Sequence, residues 1–134
     1  MVWVDLVEGE FAYSDLFARY TEISGLTISE VILGGDRLTM RFTDGRALII
    51  EDTGQSCCEN RYMDCDDDLT AIAGGHLVHI ELSEPGHTDE DDNYGCHEVQ
   101  FLKVQTTNGF FTCCTHNEHN GYYGGFSIEM KLTA

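Results

Sequence analysis

Leu38-Thr39-Met40-Arg41-Phe42-Thr43-Asp44-Gly45-Arg46-Ala47-Leu48-Ile49-Ile50 is the stretch on which the fold turns. Leu38, Met40 and Phe42 alternate with Thr39 and Arg41, the period of two that sets one strand face on a core and the other towards water. Asp44-Gly45 is a hairpin turn pair, because glycine enters the positive-φ region without a Cβ penalty. Ala47 to Ile50 then reads as the return strand. Upstream, the apolar run Ile28 to Leu33 stops at Gly34-Gly35-Asp36. Thr27 to Asp52 is therefore expected to be a meander of three antiparallel strands.

The same reading extends along the chain. Phe126, Ile128, Met130 and Leu132 alternate with Ser127, Glu129 and Lys131, which predicts a buried apolar face with Glu129 and Lys131 exposed. Val78, Ile80 and Leu82 alternate with His79 and Glu81. His97 to Thr106 forms another strand, with Phe101-Leu102 marking a change of face or a bulge. Asn108-Gly109 turns it into a returning strand from Phe110 to Thr115. Glu84 to Tyr94 reads as an exposed polar loop. Two segments look helical. Tyr13, Leu16, Phe17 and Tyr20 fall at helical spacing behind Ser14, and Asp66-Asp67-Asp68 precedes Leu69 to Ala73 with Gly74-Gly75 after it. The expected fold is mainly β, a twisted antiparallel sheet forming a sandwich or open barrel with one or two short helices. Residues 1–134 read as a single domain, with 1–24 an N-terminal helical segment packed on the sheet.

Charge narrows the functions. Twenty-four acids stand against seven bases, a formal net charge of −17. Direct binding of nucleic acid needs clustered Lys and Arg, so that class is excluded. A dense negative surface instead suits encounter with a basic partner. No stretch has the length of a membrane span, and the N-terminus lacks a basic region followed by an apolar core. The expected location is the cytoplasm, where six cysteines read as thiols or metal ligands rather than disulfides.

Chemically capable side chains concentrate in three segments: Gln55 to Met63, Asp66 to Leu69, and Thr115 to Gly125. From these, Cys57, Cys58, Glu59, Arg61, Asp66, Asp67, Asp68, Asn117, Asn120, Tyr122 and Tyr123 are candidate ligand- or partner-binding residues. His116 and His119 are spaced like a zinc-site pair, with Cys57 and Cys58 as soft ligands. Structural readings stand beside these: buried cysteines as small apolar residues, aspartates as helix caps, and an Asn/Gly-rich loop satisfying its own backbone. The aspartate cluster lacks the glycine and terminal glutamate of an EF-hand. No serine elbow, phosphate-cradling loop or dinucleotide fingerprint is present. The balance favours a non-catalytic protein without a cofactor, with zinc as the alternative.

Three motifs carry a resemblance: Cys-Cys-Glu-x-Arg-Tyr-Met at Cys57 to Met63, Asp-Asp-Asp-Leu at Asp66 to Leu69, and His-Asn-Glu-His-Asn-Gly-Tyr-Tyr-Gly-Gly-Phe at His116 to Phe126. Together with His97-Glu98-Val99-Gln100-Phe101-Leu102, they resemble an uncharacterised family of small proteins found largely in phages and bacterial mobile elements. The resemblance covers most of the chain from Gly25 onward and implies a setting, not a mechanism. In that setting the sequence points to a counter-defence inhibitor binding a nucleic-acid-binding host effector through its acidic surface. A sponge for a small signalling nucleotide, a Cys/His metal-binding domain and a small metalloenzyme are the alternatives, and a homo-oligomer is open. Thiol titration under denaturing, non-reducing conditions finds all six cysteines free; a stoichiometric deficit without bound metal contradicts it.

Overall fold

The computed structural model describes residues 4–5, 9–12, 26–34, 36–54, 59–87, 96–119 and 125–133. The meander forms as the alternation requires: β3 (Ile28–Gly34), β4 (Arg37–Phe42) and β5 (Ala47–Asp52) pair antiparallel in that order. Gly45 takes φ 93° in the β4–β5 turn, where the Phe42 amide donates to the Arg46 carbonyl at 2.9 Å. β11 (Ile128–Thr133) lies against β5, and β1 (Val4–Asp5) against β11. This sheet runs β1-β11-β5-β4-β3, which among the described residues leaves β3 at an edge, bulged between Ile28 and Glu30.

The second sheet contains β2 (Gly9–Ala12), β6 (Glu59–Asp64), β7 (Leu77–Leu82), β9 (Cys96–Thr106) and β10 (Gly109–His119), in the order β2-β7-β9-β10-β6. A short β8 (Gly86–His87) also pairs with β9, so the stretch expected to be loop contains a ladder segment. Both sheets contribute to one buried cluster. Ile28, Met40, Ile50 and Met130 come from the first, and Ile80, Leu102, Val104 and Phe111 from the second. The arrangement is the sandwich, with no closed barrel. No helix among the described residues is long and apolar enough to cross a membrane.

Several details differ from the sequence pattern. In β7 a register shift between Leu77 and His79 turns Leu77 inward and leaves Val78 exposed; a bulge adds one residue to the count and so breaks simple alternation. β9 holds an unbroken register against β10, without the expected irregularity at Phe101-Leu102. Leu102 is buried and Phe101 faces outward by ordinary alternation. Glu129 and Lys131 are half-buried rather than exposed, because β11 is flanked by β1 and β5. The acids before Leu69 do start a helix, a 3-10 turn over Leu69–Ile72 that Asp68 caps by accepting from the Thr70 amide at 3.0 Å. Of residues 1–24, the described parts are strands rather than helix. Tyr13 to Tyr20 lies outside the described residues.

Met130 is fully buried at the centre of this core, whereas Phe110 is 63% exposed with Lys103 Nζ above its ring. Met130→Ala is expected to cost about 2–5 kcal/mol by loss of burial and cavity formation, and Phe110→Ala no more than about 0.5 kcal/mol. Urea unfolding of the two variants checks the contrast.

Candidate functional site

The β6–β10 register sets Asn117 opposite Arg61, His116 opposite Tyr62 and His119 opposite Glu59. The strand therefore continues through His116 to His119, beyond the Thr115 end expected from the sequence pattern. β10 lies between β9 and β6, so its amides and carbonyls find ladder partners on both sides as far as His119. The pairing brings the end of the Cys57 motif beside the His116 motif. The two-residue period then sorts these residues onto opposite faces. Glu59, Arg61, Asn117 and His119 face the interior; Tyr62, Asp64, Cys114 and His116 face outward.

The inward group is ionic. Arg61 Nη1 donates to both Asp52 carboxylate oxygens at 2.9 and 3.1 Å, and Nη2 donates to Glu59 Oε2 at 2.9 Å. The side chains of Arg61, Asp52 and Glu59 are only 7%, 9% and 1% exposed. Burial opposes the guanidinium charge, but the Glu59 hydrogen bonds and the Asp52 charge outweigh it, and the net shift of the Arg61 pKa is upward. Asn117 Nδ2 donates to Glu59 Oε2 at 2.8 Å and to the Gly125 carbonyl at 2.9 Å. His119 Nε2 lies 2.7 Å from Glu98 Oε1, which also accepts from the Gly125 amide at 2.9 Å. Asp52 is on β5 and Arg61 on β6, so the arginine ties the two sheets together.

The outward group is a string of aromatic rings ending at a carboxylate. His116 stacks on Tyr62 with centroids 4.4 Å apart and planes within 9°. Its Nδ1 lies 2.8 Å from His97 Nε2, and its Nε2 lies 3.0 Å from Asp64 Oδ2. Ligand atoms of Asp64, Cys114 and His116 all fall within 4.8 Å of one another. Burial, followed by the charges of Asp64 and Asp66, pushes the Cys114 thiol up to about 11. Such a thiol is protonated at neutral pH, unlike an activated nucleophile. Cys113, behind it in the core, is shifted upward by burial and then by Cys65. Cys65, Cys113 and Cys114 are free thiols.

A family model described as "Domain of unknown function (DUF7448)" matches residues 20–128, a span that contains β6, β9 and β10 entire. The chain belongs to the DUF7448 family. Comparison with curated proteins and with solved structures gave no match.

The zinc pair expected in this DUF7448 domain is divided. His116 and His119 are three positions apart on an extended strand and project from opposite faces, so they do not share a ligand sphere. Cys57, Cys58, Asn120, Tyr122 and Tyr123 lie outside the described residues. Asp66, Asp67 and Asp68 sit apart from the Arg61 network. Asp67 accepts from the Thr112 amide at 2.8 Å, and Asp68 caps the 3-10 turn. Sequence reasoning missed Asp52, Glu98, Tyr62 and His97 as members of these clusters. They lie on three strands, β5, β6 and β9; the register of the second sheet and the packing of the first sheet against it, which no local pattern gives, bring them together.

Two clefts flank the site. One, of about 230 Å³, is lined by Asp36, Glu51 and Asp52 from the first sheet and by Arg61, Tyr62 and Met63 from the second. The other, of about 240 Å³, lies on the outer face, with Asp64, Asp66, Asp67, Phe101 and Cys114 in its wall. Arg61 in the first is held by two carboxylates, which gives an incoming phosphate little net attraction.

The network makes the DUF7448 sandwich sensitive to single changes. Arg61→Met leaves two buried carboxylates without their counter-ion and is expected to cost about 3–5 kcal/mol. A Cβ at Gly54 would meet Arg61 Nη1 at 2.6 Å and Ser127 Oγ at 2.8 Å. With the guanidinium pinned, Gly54→Ala should cost about 1–3 kcal/mol by overpacking. Denaturant titration measures both; wild-type stability in Arg61→Met would show that the network bridges nothing essential.

Proposed function

We propose that this domain is a non-catalytic, stoichiometric binding protein whose acidic surface takes up basic side chains of a partner protein. The observation that carries the reading is the outer-face cleft, whose wall holds Asp64, Asp66 and Asp67 together with the exposed Phe101. Carboxylates beside an aromatic face are the chemistry that recognises Lys or Arg, through ion pairing and cation–π attraction together. Charge across the chain supports it. Of the seven bases, Arg37, Arg41, Arg46 and Arg61 are each paired with an acid of the domain. The surplus of acids is thus left to act outward. A net charge magnitude of roughly 2–8 suffices for solubility in a small domain, so −17 serves encounter or imitation of a phosphate backbone. The setting that fits is a phage protein opposing a nucleic-acid-binding host effector in the host cytoplasm. Capture of a small nucleotide gains less support, since Arg61 is already engaged by carboxylates.

The test uses an arginine-rich decapeptide as probe. Asp66→Asn combined with Asp89→Asn, Glu90→Gln, Asp91→Asn and Asp92→Asn spares the Asp67 and Asp68 hydrogen bonds. It should slow association roughly tenfold at low ionic strength and much less at high. Phe101→Ala should instead speed dissociation. Stopped-flow rates that are indifferent to salt and to both changes reject the reading.

A further inference from the structure

We infer that Asp64, Cys114 and His116 form a mononuclear site for a divalent transition-metal ion, zinc by its donor set, with His97 positioning the histidine ligand. The site shares Asp64 and its adjoining cleft with the acidic-docking reading, but its test needs no partner protein and so stands or falls separately.

The donors are one carboxylate oxygen, one sulfur and one imidazole nitrogen, the three ligand types zinc accepts together. Hard cations such as calcium and magnesium select all-oxygen sites instead. Placement follows from register: Cys114 is directly opposite Asp64, and His116 is one pleat further along the same outward face. Tetrahedral bonds of about 2.0–2.3 Å hold ligand atoms roughly 3.3–3.6 Å apart. His116 Nε2 and Asp64 Oδ2 are already 3.0 Å apart, and all three ligand atoms lie within 4.8 Å. The Asp64 side chain is 61% exposed, so it can rotate to complete the fit. The strand backbones need not move.

The surroundings act on the imidazole as a metal site requires. A ligating histidine normally donates its second ring N–H to an acceptor, which fixes tautomer and ring orientation. With Nε2 given to the ion, the proton resides on His116 Nδ1 and is donated to His97 Nε2, 2.8 Å away. Tyr62 covers the ring face and holds its plane. On binding, the Cys114 thiol forms the metal–sulfur bond and releases its proton to solvent. The adjoining cleft, which shares Asp64 and Cys114 with the site, opens the fourth coordination position to water. Three protein ligands with an open position is the pattern of exchangeable rather than closed zinc centres.

Chelator-treated, reduced full-length protein is titrated with Co²⁺ and then Zn²⁺. Wild type should bind one Co²⁺ with a thiolate-to-cobalt band in the near ultraviolet, and Zn²⁺ should displace it. Cys114→Ser should abolish the band. Asp64→Asn and His116→Gln should weaken binding at least about tenfold, while the exposed His76→Gln should not change it. His97→Phe should keep the band but weaken affinity about 10–100-fold, and His97→Gln, which retains an acceptor, should restore it. Peptide mapping should show Zn²⁺ protecting Cys114 from alkylation. A wild-type protein without the band, a Cys114→Ser protein that keeps it, or unprotected Cys114 overturns the site. Should Cys114→Ser fail to fold by circular dichroism, unchanged affinity in Asp64→Asn, at an exposed position, does the same.

Discussion

Arg61 joins the two sheets at the end of the sandwich where the core ceases to be apolar. Along the inner face of β10 the buried residues run Phe111, Cys113, Thr115, Asn117, His119, a gradient from hydrocarbon to hydrogen-bonding groups. Apolar area cannot hold the sheets together at the polar end. A planar guanidinium between Asp52 and Glu59 does so with directional, charge-assisted bonds. An ion group of this kind adds little net stability over a well-packed apolar replacement, yet it tolerates no loss of a single member. It fixes where β6 lies, and β6 in turn fixes both faces of the site.

The strand is the device that separates these roles. Neighbours in sequence, Asn117 and His116, serve different environments: one is fully buried against Glu59, the other lies between Tyr62, His97 and Asp64 on the outside. The inward residues are committed to structure. The outward ones keep chemistry that the fold does not consume, which is why the proposed metal ligands and the proposed docking cleft both lie there.

Much of this was legible in the chain. The alternation in Leu38 to Phe42 and Ile128 to Leu132 and the turns at Asp44-Gly45 and Asn108-Gly109 report local physics, and they reappear in β4, β11 and their hairpins. The bulge at Leu77/His79 was hidden because Val78 is as apolar as Leu77. The strand through His116 to His119 was hidden because its polar residues look like loop, and only a partner on each side makes them extended. Of the two segments dense in capable residues, Cys57 to Met63 and His116 to Phe126, the described parts pair, Glu59 and Arg61 with His119 and Asn117. Glu98 and His97 joined them through register and Asp52 through packing of the two sheets, long-range properties that composition does not carry.

The edge position of β3 has a consequence for self-association. Ile28 at the start of this strand bonds to Gly74 and Gly75, but beyond it no described strand pairs with the outer side of β3, and with Ile32 exposed that stretch is a template for another chain's strand. The bulge at Ile28/Glu30 spoils a flat approach, and the remaining defence is mutual repulsion between copies bearing the same large negative charge. That defence is not built into the strand but is borrowed from the solvent: it weakens as salt shortens the reach of the charges and as acid protonates the carboxylates. The acidity of the chain thus also acts as a colloidal stabiliser, opposing strand addition at the open edge.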